Sequence, residues 1–217
     1  MPWDEIKPRQ FKAFEKELDG ISKKTMDDHY KLYEGYVKKT NACRKLLNEI
    51  DYAETEGNQV YSHLRSVSVD YTFALLGFKN HDLYFGHLGG DGGEPTGRFA
   101  ELVDAQYNGV DKWKDAVGKC AKAARGWVMV GYDLNDGSLF NYLMDTQNLW
   151  AVYNMVPVLA IDVYEHAYVG DFGATPDGRG AYVDAFFRNL DWDHVNNQVA
   201  AAEAAKRGAD ESGATGG

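Results

Sequence analysis

One short segment, Asp162-Val-Tyr-Glu-His166, constrains this chain more than any other feature of its sequence. It follows an apolar run over residues 154–161 that is long enough for a buried strand. On a helix of about 3.6 residues per turn, Asp162 and His166 would lie on one face, a turn apart. A carboxylate oxygen and an imidazole nitrogen would then converge at the end of a rigid element, which suits a metal ion. Taken alone, such a pair is more often a hydrogen-bonded helical pair, so a metal site requires further ligands.

The composition is that of a globular protein. With 217 residues, of which 44% are hydrophobic and 13% aromatic, the chain can bury the core of one large domain or two small ones. No run approaches the ~18 apolar residues of a membrane span. The first residues lack a basic segment followed by an apolar one, so we expect a cytoplasmic protein without a secretory signal. Cys43 and Cys120 are expected to be free thiols.

The charge of the chain argues against two classes of partner. The formal net charge is −10, and neither basic runs nor basic-aromatic clusters occur. We therefore expect no nucleic-acid partner and no membrane partner.

The hydrophobic pattern predicts an α+β fold: an N-terminal helical hairpin domain, then a C-terminal α/β domain with a small three-stranded antiparallel sheet. Four glycines and a proline in residues 89–95 form the clearest break, so the domains are placed at 1–91 and 92–207. The small, polar residues 208–217 are expected to be disordered. Helices are predicted over 21–50, 60–76, 79–88, 98–107, 110–124, 164–169, 181–189 and 193–207, and strands over 127–132, 138–144 and 155–161.

Two further histidine segments join the first one. Thr25-Met-Asp-Asp-His29 lies early in a long helical pattern, and Asn80-His81-Asp-Leu-Tyr84-Phe85 lies in a second helical region. With residues 162–168 they resemble the iron/manganese superoxide dismutase family, whose ligands lie in motifs of these kinds. Gly126-Trp127 and the aromatic segment 185–193 extend the resemblance, in the right order, over residues 20–200.

The resemblance implies that His29, His81, Asp162 and His166 hold one Mn or Fe ion per subunit. It also implies a superoxide dismutase, which converts superoxide to dioxygen and hydrogen peroxide by ping-pong redox cycling of that ion. Three imidazoles and one carboxylate are apt for iron or manganese, whereas a set without Cys disfavours thiolate zinc, iron–sulfur and blue-copper sites. A homodimer is expected, with a tetramer possible, in which Glu165 bridges to a ligand histidine of the second subunit.

The resemblance assigns catalytic roles to Gln147 and Tyr36. A family Gln hydrogen-bonds the bound solvent, and Gln147 matches its manganese-type position because the alternative position holds Gly77. An ordinary surface loop residue is the other interpretation of Gln147. Tyr36 takes the gateway Tyr position if one residue is deleted after His29, in which case Leu32 replaces the family's funnel His. Without that gap, Tyr33 replaces the His and Val37 replaces the Tyr.

Other aromatic positions around the site are also altered. Tyr164 and Phe85 replace family tryptophans, Trp127 opens a strand as in the family, and Tyr168 precedes Val169 where the family has a second Tyr. In the family that second Tyr hydrogen-bonds the funnel His across the dimer. The resemblance implies that both partners are replaced together, by Val169 and Leu32, which avoids leaving one buried polar group unpaired. Because fold does not guarantee chemistry, a metal-binding or structural member with reduced or lost activity is the alternative. A metal-dependent hydrolase is weaker, since no motif supplies a base beside an open metal position.

Overall fold

The computed structural model describes residues 3–213 and has the predicted α+β architecture. A helical hairpin comes first, and an α/β domain with a three-stranded antiparallel sheet follows, which confirms the predicted fold class. No helix within residues 3–213 combines the length and the apolar character needed to cross a membrane. The elements are α1 (Lys23–Glu49), α2 (His63–His87), α3 (Gly97–Tyr107), α4 (Val110–Ala123), β1 (Trp127–Asp133), β2 (Leu139–Met144), β3 (Met155–Asp162), α5 (Glu165–Phe172), α6 (Pro176–Arg188) and α7 (Trp192–Ser212).

Helices α1 and α2 form the N-terminal hairpin. The hydroxyl of Ser22 accepts a hydrogen bond from the Thr25 amide at 3.2 Å, which satisfies one free donor at the start of α1. The prediction of two helices over 60–76 and 79–88 is wrong, because α2 is continuous. Gly77 lies in its interior and packs against the ring of Tyr36, so the glycine there serves close packing and does not end the helix.

The sheet has the order β2-β1-β3, with β1 buried in the centre. Trp127, at the start of β1, pairs with Met144 on β2 and with Asp162 on β3. The turn between β1 and β2 uses Gly137 at φ 80°, a conformation that glycine adopts without strain. This register brings Asp162, the last residue of β3, beside a buried tryptophan.

The last two helices differ from the predicted bounds. Helix α6 begins at Pro176 and not at residue 181, because Thr175 caps its first turn and proline is favoured there. Helix α7 continues through Ser212, so the expected disorder is wrong for residues 208–212. Residues 214–217 of that predicted tail lie outside the described residues.

The glycine-rich segment after α2 packs closely on the turn between α6 and α7. The Gly89 and Gly90 amides donate to the Asn189 carbonyl at 3.0 and 3.1 Å, and the Gly92 amide donates to the Leu190 carbonyl at 3.0 Å. Gly89 adopts φ 94°, which a side chain would disfavour. The buried apolar residues of both halves form one cluster, and the domain boundary after residue 91 stays a prediction.

Candidate metal centre

Four side chains that are distant in sequence converge on one point. His29 comes from α1, His81 from α2, Asp162 from the end of β3 and His166 from the first turn of α5. Their candidate ligand atoms all lie within 4.8 Å of one another. The Oδ2 atom of Asp162 lies 3.1 Å from Nε2 of His29, 3.1 Å from Nε2 of His166 and 3.5 Å from Nε2 of His81.

Asp162 and His166 meet for a different reason from the one expected. Asp162 belongs to a strand, so the two residues do not share a helical face, and that part of the prediction is wrong. The chain turns between β3 and α5 at Tyr164, whose amide donates to Oδ1 of Asp162 at 2.9 Å. This bond fixes the carboxylate so that Oδ2 faces the three imidazoles.

The hydrogen bonding of His81 prepares Nε2 as a ligand. Its Nδ1 lies 2.6 Å from the Gly77 carbonyl, one helical turn earlier, and a carbonyl oxygen can only accept a hydrogen bond. Nδ1 therefore carries the proton and Nε2 keeps its lone pair. Among the residues that the structure describes, the buried Nε2 has no hydrogen-bond partner.

Burial and charge set the protonation of the cluster. Burial, aided by His29, lowers the pKa of His81 to about 3. Burial also lowers the pKa of His29, although Asp162 opposes the shift. Burial alone would raise the pKa of Asp162, but the charge of His166 and the hydrogen bonds from both histidines hold it well below its usual range. Burial opposes the charge and hydrogen bond of Asp162 at His166, but Asp162 prevails and raises the pKa of His166. Metal binding requires an ionised carboxylate and neutral imidazoles, so His166 would release its proton as the ion binds.

These residues fit a single iron or manganese ion. An unpaired buried acceptor such as Nε2 of His81 costs about 1–3 kcal/mol, and a cation among the four atoms would remove that cost. Three imidazole nitrogens and one carboxylate oxygen are ligands of intermediate hardness, with no thiolate among them. His166 closes the set at the open side, where its side chain is 30% exposed.

Gln147 is buried beside the cluster and is not a surface residue. Its Oε1 accepts a hydrogen bond from Nε1 of Trp127 at 3.0 Å, and its Nε2 donates to the Tyr36 hydroxyl at 3.2 Å. Its backbone carbonyl accepts from the Asn80 side chain at 3.1 Å. The rings of Trp127 and Tyr36 lie 5.1 and 5.2 Å from the ring of His81.

Of the two alignments considered for α1, the structure places Tyr36 and not Tyr33 at the site. The Tyr33 hydroxyl instead contacts the Arg9 amide and the Asp82 carboxylate, both at 3.0 Å. Leu32 is exposed and Val169 is half-buried, and neither side chain carries a polar group.

Aromatic rings enclose the histidines. Phe85 lies 5.0 Å and Tyr84 4.9 Å from the ring of His29, and Tyr164 stacks on His166 at 5.4 Å. The Tyr84 hydroxyl accepts a hydrogen bond from the Tyr182 hydroxyl at 3.1 Å. Tyr84 and Tyr182 were not predicted as site residues. The spacing of Tyr84 from His81 could have indicated it, since residues three apart share a helical face.

Glu165, His166 and Tyr168 lie near the open side of the site. Glu165 and His166 line a cleft of about 640 Å³ together with basic residues of α4 and α6, Arg179 among them. Tyr168 is buried, and its hydroxyl accepts a hydrogen bond from Nε of Arg179 at 3.1 Å. The predicted roles of these residues at a subunit interface stay predictions.

Comparisons with known proteins point to one family. Residues 95–198 match the model of the iron/manganese superoxide dismutases, C-terminal domain. The superoxide dismutase [Fe] of Aquifex aeolicus is 34% identical over 91% of this chain and 89% of its own length. The superoxide dismutase [Fe] of Cupriavidus metallidurans is 34% identical over 85% of this chain and 91% of its own. The superoxide dismutase [Mn] 2 of Haloferax volcanii is 33% identical over 80% of this chain and 84% of its own. With these motifs, this geometry and this extent of similarity, the chain belongs to the iron/manganese superoxide dismutase family.

Proposed function

We propose that this protein is a superoxide dismutase that binds one iron or manganese ion per subunit and converts superoxide to dioxygen and hydrogen peroxide. One observation carries the proposal: Nε2 of His81 is buried without a partner, and it faces the carboxylate that His29 and His166 also contact. When bound, the ion supplies the one-electron oxidation and reduction that superoxide dismutation requires.

The chain contributes groups that position and hold protons. Hydrogen peroxide formation consumes two protons, and the Gln147 amide and the Tyr36 hydroxyl form a hydrogen-bonded pair beside His81. Burial, together with the charge of Asp162, raises the pKa of Tyr36, which keeps its phenol protonated. Trp127 fixes the orientation of the Gln147 amide through Oε1, so that its NH₂ group faces Tyr36.

Both metals remain compatible with the chain. Relatives of similar identity carry iron in Aquifex aeolicus and manganese in Haloferax volcanii by name. The ligand set is the same for either ion, and Gln147 takes the position expected of the manganese type. We therefore propose iron or manganese without choosing between them.

We also propose a homodimer. Glu165 is exposed and His166 partly so, which leaves one ligand accessible from an open cleft in the single chain. A second copy covering this cleft would exclude bulk water from the ligand, and Glu165 would then lie near the partner's histidine. A cytoplasmic location stays a prediction from the sequence.

The alternative is a metal-binding member with reduced dismutation. Reduced dismutation is favoured by the residues at positions 32 and 169. Leu32 and Val169 lack the polar groups that the family resemblance led us to expect near the funnel. Activity measured per bound metal ion separates this alternative from the main proposal.

The test combines metal analysis and a superoxide-scavenging assay on one preparation. We expect about one iron or manganese ion per chain, given one four-ligand site, and activity that follows metal content. His81→Ala should lose both, while His63→Ala, an exposed position on the same helix, should lose neither. Full metal without activity would support the alternative, and full metal in His81→Ala would place the site elsewhere.

A further inference from the structure

A cleft of about 590 Å³ lies between α4, α6 and the glycine-rich segment. Its volume falls within the range of about 300–1,000 Å³ that is usual for small-molecule sites. It is a different opening from the cleft at His166, although Lys122 and Arg179 line both. We call it the α4–α6 cleft, and its lining includes Gly118, Lys119, Lys122, Arg179, Gly180 and Phe187.

The floor of the α4–α6 cleft is apolar. It is lined by Ala121 of α4 and by Val183 and Phe187 of α6, and all three residues are buried. Phe187 packs in turn on Trp113, with 5.6 Å between the ring centroids, so the floor is continuous with the core. Such a floor suits a ligand with an apolar body, because covering it removes hydrocarbon surface from water.

Two glycines on opposite walls keep the cleft open. Gly118 lies inside α4 and Gly180 lies inside α6, and neither has a positive φ. A Cβ atom at Gly118 would meet nothing within 4 Å, and one at Gly180 would meet only Cε of Lys122, at 3.9 Å. Glycine inside a helix is destabilising relative to alanine, and here neither backbone conformation nor close packing requires it. What the two glycines preserve is the open space between the helices.

The two helices run antiparallel along the cleft, which gives it two distinct ends. At one end, Trp113 of early α4 packs on Phe187 of late α6. At the other end, Nη1 of Arg179 in early α6 donates to the Ala124 carbonyl just after α4, at 2.8 Å. The residues of late α4 and early α6 therefore meet at the end that contains Arg179.

The end at Arg179 carries positive charge that no acidic group neutralises. In the part of the chain that the structure describes, the exposed Lys119 and Lys122 have no acidic partner within 4 Å. Arg179 is held by neutral oxygens, the Tyr168 hydroxyl at 3.1 Å and the carbonyls of Ala121 and Ala124. In a protein of formal net charge −10, three such cations at one point form a local attraction for an anion.

The other end of the cleft limits the charge that a ligand can carry. Asp115 and Asp184 line the cleft and are exposed. Asp115 lies about one turn before Lys119, and Asp184 lies about one turn after Gly180, so both are displaced toward the end at Phe187. A second anionic group on the ligand would meet these carboxylates, which disfavours a polyanion such as nucleic acid.

We propose that the α4–α6 cleft binds a small organic anion with a single negative group and a compact apolar body. The negative group lies among Lys119, Lys122 and Arg179, and the apolar body covers the floor at Val183 and Phe187. Superoxide is diatomic and needs neither an apolar floor nor a cleft of this size. The binding site is therefore separate from the proposed dismutation and does not depend on it.

The experiment uses 8-anilino-1-naphthalenesulfonate as the probe, because it joins a single sulfonate to aromatic rings. Its fluorescence rises in apolar surroundings, so a titration of the metal-loaded protein gives the affinity and the number of sites. We expect about one bound probe per chain, given one such cleft. Gly118→Leu fills the cleft from the α4 wall and should weaken binding by about tenfold or more. Lys119→Ala/Lys122→Ala should weaken it by about tenfold at low salt.

Matched controls separate the cleft from general effects of the substitutions. Gly208→Leu also adds a leucine inside a helix where a Cβ would meet nothing within 4 Å. Lys38→Ala/Lys39→Ala removes the same charge from exposed positions of α1. Both controls should bind the probe with the affinity of the wild type.

Two further variants make the result decisive. Gly180→Leu fills the cleft from the α6 wall and should also weaken binding, while metal content per chain reports that each variant folds. Trp150→Ser/Tyr153→Ser removes two exposed aromatic side chains from the loop between β2 and β3 and should leave the affinity unchanged. The proposal is overturned by a wild type that does not bind the probe, by wild-type affinity in both leucine variants of the cleft, or by loss of binding in the loop variant.

Discussion

Gly77 lies against the ring of Tyr36 with no room for a side chain. A Cβ atom at this position would come within 2.5–2.8 Å of Cδ1, Cε1 and Cγ of Tyr36, closer than van der Waals contact allows. The Tyr36 hydroxyl is held by Gln147, so the ring cannot shift without losing that hydrogen bond. Gly77→Ala therefore tests the packing that aligns Tyr36 with the site.

The expected change in stability follows from three effects. Replacing a helix-interior glycine by alanine stabilises a protein by about 1 kcal/mol. Overpacking of a buried site costs about 1–3 kcal/mol, and loss of the bond between Gln147 and Tyr36 costs about 1 kcal/mol more. We therefore expect Gly77→Ala to lower the free energy of unfolding by about 2 kcal/mol, by combining these central values.

Urea unfolding of the metal-free protein measures this change. Gly118→Ala is the matched control, because Gly118 also lies inside a helix and its Cβ would meet nothing within 4 Å. It should raise the free energy of unfolding by about 1 kcal/mol, so the two variants should differ by about 3 kcal/mol. In a Tyr36→Ala background the steric conflict is absent, and Gly77→Ala should then stabilise as Gly118→Ala does. Equal stability of Gly77→Ala and Gly118→Ala in the wild-type background would refute the packing described for Tyr36.

Three further predictions concern other parts of the molecule. Burial, aided by His194, lowers the pKa of His87 to about 3. As pH falls from about 6.5 toward 3, the His87 imidazole therefore binds a proton in the unfolded chain but stays neutral in the folded chain. Stability should fall over that range, and His87→Phe should lose stability less steeply than the wild type or the exposed-site control His63→Phe; parallel pH profiles would contradict this. Trp127→Phe leaves Oε1 of Gln147 buried without its donor, which should cost about 1–3 kcal/mol in urea unfolding, and an unchanged midpoint would argue against this bond. Asn41 bonds both the amide and the carbonyl of Ile6, at 3.0 and 2.8 Å, so Asn41→Ala should speed proteolysis of the N-terminal segment while metal content is retained.

Much of the fold could be predicted because its signals are local. The caps, the glycine-rich break and the apolar runs of β1 and β3 give the order of the elements and most of their bounds. The errors arose where tertiary contacts override local signals. Gly77 resembles a helix break but is buried against Tyr36, and the small residues after Arg207 continue α7 although their composition suggested disorder.

The site was predictable to a similar degree. The motifs singled out the residues that the structure brings together around Asp162. Asp162 and His166, however, meet across the turn between β3 and α5 and not on one face of a helix, as the sequence had predicted. The hydrogen bond between Tyr84 and Tyr182 joins residues distant in sequence, and no spacing rule reveals such a contact. The exposure of Trp150 also required the structure, because an apolar loop segment reads in sequence like part of the following strand.

The ligands of the metal centre are divided between two elements near the start of the chain and two near its end. During translation the N-terminal hairpin leaves the ribosome with only two of the four ligands, and a nascent chain at that stage cannot complete a coordination sphere. Ion capture must therefore wait until β3 and α5 have been synthesised and have docked. The bound ion would then join the early part of the polypeptide to the late part, in addition to the buried apolar cluster that both halves share.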